Sequence, residues 1–116
     1  MYKSGIGSDF ETLNQLCKVY RCWSIIPNVK RYKRDIEVIR VFVKESGERL
    51  SKGGDKRLLM LSHRRNKYAL KRAIEKYESL HRELKGAWES INFDYLSHSS
   101  VDNAFVVKVR EEIQGL

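Results

Sequence analysis

Proline occurs once in these 116 residues and glycine seven times, so the chain lacks the breaks that a many-turned β fold requires. Cysteine occurs twice. Cys17 and Cys22 stand five apart, on different faces of an expected helix and beyond disulfide reach. His63, His81 and His98 are scattered and offer no ligand spacing with them, so no metal or cofactor is expected. No apolar run approaches the ~18 residues of a membrane span. The start, MYKSGIGSDF, lacks a basic-then-apolar signal layout, and Tyr2 stands where myristoylation needs glycine. With no N-x-S/T acceptor either, the expected location is intracellular, cytoplasmic or nuclear, with membrane binding disfavoured.

Catalytic signatures are missing too. Gly5-Ile6-Gly7 has no third glycine, and the stretch from Gly47 to Asp55 lacks P-loop spacing. Ser62 and His63 are adjacent, and neighbours on a helix face different directions, so they make no nucleophile–base pair. Glu48, Glu75 and Glu78 have no evident partner for acid–base work. The chain is therefore not expected to be an enzyme.

What is present is helical periodicity. With 41% apolar and 33% charged residues, one domain over 1–116 is expected, with 1–8 as a loose lead-in. Ser8 or Asp9 can cap a helix over about 9–23, with Phe10, Leu13, Leu16 or Cys17, Tyr20 and Trp23 as its apolar face. Pro27 is expected to end it. Val29, Tyr32, Ile36, Ile39 and Val43 then step by three and four, which favours a helix over 28–45. The β-branched run at 36–43 leaves a strand as the alternative there.

Gly47 and residues 51–54 read as a loop, and Asp55 caps a long helix over about 55–92. Its seam is Leu70, Tyr77, Leu84 and Ile91, with Ile74, His81 and Trp88 interleaved. The stripe weakens upstream, so a bend or break is expected near 62–66, and His63 is expected to be exposed. A polar link over 92–100 precedes a last helix capped by Ser99 or Ser100, with Val101, Phe105, Val109 and Ile113 on one face. The expected fold is all-α, a compact bundle of four or five helices.

Charge is the strongest functional signal. The formal net charge is +8. Residues 18–34 hold six Lys/Arg and no acid, and residues 55–76 hold eight against two acids. Such blocks attract polyanions. Arg64, Lys67 and Lys71 form one helical stripe, a spacing suited to phosphates along a backbone. The expected function is an accessory or regulatory protein that binds nucleic acid, DNA or RNA, through its phosphates. Lys30, Arg31, Lys33, Arg34, Arg64, Arg65, Lys67, Lys71 and Arg72 are the candidate contacts. Tyr20, Trp23 and Tyr32 are read as core rather than base-stacking platforms. A helix-turn-helix across Pro27 is a weaker variant, because the link lacks a turn glycine.

Two further partners remain open. A helical adaptor or structural protein, including a viral or phage component, could dock an acidic protein or an anionic membrane surface with the same cations. The long helix, basic at one end and acidic at the other, could pair with a second copy. Closing its own core is the favoured use of that seam.

Overall fold

A computed structural model describes the backbone of residues 2–98 and 103–116, and side chains from Phe10 onward. The described residues form four helices and no strand: α1 (Tyr2–Lys52), α2 (Lys56–Glu89), α3 (Phe93–Ser97) and α4 (Ala104–Gln114). The helix chosen for 36–43 is present within α1. Instead of one bundle around a single core, the chain divides into two units. One joins Met1–Asn28 to His81–Leu116, and the other is Val29–Leu80.

Helix α1 continues past Pro27, so the expected stop, and with it the helix-turn-helix, is absent. The reason lies in a heptad pattern that ignores the proline. Gln15, Cys22, Val29 and Ile36 are buried and Val43 and Leu50 half-buried, each seven residues after the last. Pro27 itself is exposed. Burial on the opposite side of the helix outweighs the interrupted hydrogen-bond ladder, which alone costs roughly 3 kcal/mol. The helix also covers the expected lead-in, from Tyr2, and the expected loop at Gly47. Between α1 and α2 the chain turns at Gly53 and Gly54, at φ +88° and +115°, a region that disfavours any other residue. Asp55 then accepts from the Arg57 amide (3.1 Å), starting α2 as expected.

Helix α2 is unbroken, so the expected break near 62–66 is absent. Where the stripe was expected to weaken, the seam runs through Leu59, His63, Asn66, Leu70 and Ala73, all half-buried or buried. Its polar members are satisfied across the hairpin. The Ser46 hydroxyl lies 2.6 Å from His63 Nδ1, in hydrogen-bond contact across the hairpin, and 3.1 Å from the Val43 carbonyl of its own helix. Asn66 donates to the Phe42 carbonyl (3.3 Å). Cross-helix bonds of this kind replace apolar contact and fix the pairing register. His63 is thus half-buried, not exposed, and His81, expected on the seam, is exposed.

In the unit of Met1–Asn28 and His81–Leu116, the core consists of Val19, Cys22, Ile25, Ile26, Leu84, Ile91, Leu96, Val106 and Val109. The face expected to be apolar is corrected. Phe10 and Leu13 are 73% and 61% exposed, and the inward face is Gln15, Val19, Cys22 and Ile26. Tyr20 and Trp23 instead hold α4, with ring centroids 4.8 and 5.7 Å from Phe105. Gln15 accepts from the Asn92 amide (2.8 Å), and Asn92 caps α3 by accepting from Tyr95 N. Leu96, 1% exposed, pins that short helix. The caps expected at Ser99 and Ser100, and the apolar Val101, lie outside the described residues.

Candidate nucleic-acid interface

Charge follows the division of the chain. Residues 29–80 hold 16 Lys/Arg and seven Asp/Glu, whereas 1–28 with 81–116 hold seven and eight. The whole positive excess therefore belongs to the second unit, as do all nine candidate residues. Lys18 and Arg21, from the first basic block, belong to the other unit and are engaged there. Lys18 donates to the Ser90 carbonyl (3.0 Å), and Arg21 pairs with Glu83 (2.8 Å).

The second unit is an antiparallel hairpin of the α1 stretch from Val29 and the α2 stretch to Leu80. Ser46 faces His63, the Phe42 carbonyl faces Asn66, and Lys76 lies over the Tyr32 ring. Its two sides can be told apart. Lys33, Ile36, Glu37, Arg40, Ile74, Tyr77 and Glu78 line a groove on one side. Phe42, Glu45, Ser46, Arg49, Leu59, Ser62 and Asn66 line a groove on the other. Lys71, Lys67 and Arg64 continue the row of Ile74 and Glu78 at helical spacing, so they belong to the Lys33 side. Lys44 follows Arg40 one turn later on the same side.

Lys33 and the Arg64–Lys67–Lys71 stripe thus share a side. Arg31, Arg65 and Arg72 fall on the Phe42 side by the same spacing, while Lys30 lies at the edge of the first side and Arg34 points away from the seam. All of these except half-buried Lys30 are exposed. Arg31 and Arg72 rest near aromatic rings, 5.1 Å from the Tyr32 centroid and 5.9 Å from that of Tyr68.

Arg40 and Lys44 are additions to the candidate set. Their signal was legible as steps of seven and eleven residues from Lys33. Glu37 and Glu78 offset Lys33 and Arg40 in their groove. The uncompensated charge therefore lies toward Lys44, Arg64, Lys67 and Lys71. Tyr32 is half-buried in the seam and offers no free stacking face.

Elsewhere, Cys17 is exposed and Cys22 buried, both as free thiols. Burial pushes the Cys22 thiol up, against a smaller downward pull from Arg21. The Ser46–His63 pair is a helix–helix contact, because the Ser46 hydroxyl is buried and already donates to Val43. The Leu70–Ile91 seam is likewise used inside the chain. Ile74 and Tyr77 line a groove with Ile36, and Leu84 and Ile91 are buried. No helix among the described residues is long and apolar enough to cross a membrane. Comparison with protein-family models, curated proteins and solved structures finds no match to this chain.

Proposed function

We propose that this chain is a small intracellular accessory or regulatory protein, not a catalyst, that binds nucleic acid by its phosphate backbone. The observation that carries the reading is the pair of cation rows on one side of the 29–80 hairpin. Lys33, Arg40 and Lys44 come from α1, and Arg64, Lys67 and Lys71 come from α2. Rows on two rigid helices hold charges at fixed separations, so little side-chain order is lost per phosphate beyond the lysine and arginine stems themselves. Arginine adds a two-pronged fit to phosphate oxygens. Contacts of this kind position a backbone, so specificity for a base sequence is not implied.

The test is duplex binding followed by fluorescence anisotropy across a salt series. Replacing Arg64, Lys67 and Lys71 by glutamine together lowers the log–log salt slope by about two to three units. An unchanged affinity and slope would leave the stripe an ordinary solvated surface.

A second reading, an adaptor for an acidic protein, is favoured by apolar side chains exposed among the cations. Leu58, Leu61 and Tyr68 are 65%, 54% and 62% exposed. Capture of a partner that survives nuclease treatment, from a protein that shifts no nucleic acid, supports that reading instead.

A further inference from the structure

On the side away from Lys71, each helix of the hairpin carries a second stripe at three- and four-residue steps. On α1 it reads Arg31, Asp35, Val38, Phe42, Glu45 and Arg49. On α2 it reads Leu58, Ser62, Arg65, Ala69, Arg72 and Lys76. Both have an apolar centre that nothing within the unit covers. Val38 and Phe42 are 52% and 50% exposed, and Ala69 is exposed. The flanking charges differ in sign, acidic on α1 (Asp35, Glu45) and basic on α2 (Arg65, Arg72). Among the described residues no ion pair engages Asp35, Glu45 or Arg65.

We propose that this side of the hairpin is the docking surface for a second copy of the chain. A two-fold axis running along the hairpin sets α1 of one copy antiparallel against α2 of the other, at the same height that the internal pairing imposes. The register fixed by Ser46–His63 and Phe42–Asn66 puts Asp35 level with Arg72 and Glu45 level with Arg65. Each acid of one copy then meets an arginine of the second copy, and Val38 and Phe42 close over Ala69 between them.

Every such contact occurs twice by symmetry, which is what a self-complementary surface requires. Past Asp35, both stripes turn cationic, with Arg31 and Lys76 level with each other, so like charge ends the contact there. The arrangement is a four-helix layer over residues 35–72. It leaves the Lys33–Lys71 side of both copies open, so it does not depend on what that side binds.

Analytical ultracentrifugation of the nuclease-treated full chain tests this. The expected species is a dimer. Phe42→Asp makes it monomeric with the helical circular dichroism signal retained, since the Phe42 side chain is half exposed and the carbonyl that accepts from Asn66 is kept. Glu45→Arg and Arg65→Glu each weaken dimerisation about tenfold, because each reversal acts at two symmetry-related contacts. Combining the two reversals restores the wild-type dissociation constant to within a few-fold. A monomeric wild type, a dimer indifferent to Phe42→Asp, or a double reversal that fails to restore association overturns the proposal.

Discussion

At the scale of single residues, burial decides chemistry that residue type leaves open. Cys17 and Cys22 are the same group five positions apart, one exposed and one buried with its thiol 4.0 Å from the Leu84 carbonyl. In the native protein Cys17 reacts with a thiol reagent and Cys22 does so only on unfolding, as thiol titration with and without denaturant will show. Because burial raises the Cys22 pKa, the folded chain holds that proton to higher pH than the unfolded chain does. Stability contributed by the neutral thiol is complete below the ordinary thiol range and declines as pH rises above about 9. Cys22→Ala removes that decline, measured by urea unfolding at pH 7 and pH 10.

The polar seam residues show the same rule. Ser46→Ala leaves the half-buried His63 Nδ1 without its hydrogen-bond partner and costs about 1–2 kcal/mol in urea unfolding.

At the scale of elements, continuity of a heptad outweighs a local breaker. The 3.5-residue period was legible in Val29–Tyr32–Ile36–Ile39–Val43 and in Leu70–Tyr77–Leu84–Ile91, and both stripes are where they were expected. Pro27 alone predicts a stop, because a proline disfavours helical geometry in the residue before it. Cys22, Ile26 and Val29 already carried the stripe across it. The error near 62–66 came from reading His63 and Asn66 as interruptions. Their partners, Ser46 and the Phe42 carbonyl, lie on another helix that sequence periodicity does not name. Phe10 and Leu13 misled for a related reason. Apolar type marked a face, but the heptad through Gln15 and Cys22 chose another.

If α1 is held by that heptad, Pro27→Ala restores the missing amide and relieves the ring contact with the preceding turn. Thermal unfolding then shifts upward, by about 1–3 kcal/mol in stability. A loss of stability would mean that the proline marks a needed kink. Gly54→Ala has the opposite sign, costing about 1 kcal/mol, because its φ of +115° strains any side chain.

At the scale of the whole molecule, the organising feature is that positive charge belongs to one unit and near-neutrality to the other. The two blocks were plain in the sequence. Their division between sides of a hairpin was not, because it depends on a register set by cross-helix pairs. Lys33 joins Lys67 and Lys71, while Arg31, two residues earlier, turns the other way. Two variants of equal net charge separate position from total charge. One replaces Arg64, Lys67 and Lys71 by glutamine, and the other replaces Arg31, Arg49 and Lys76. In salt-dependent duplex binding, the first is expected to flatten the log–log slope by about two to three units and the second to leave it near wild type. Equal losses in both would contradict the account, since the hairpin would then attract polyanions by its net charge and not by one side.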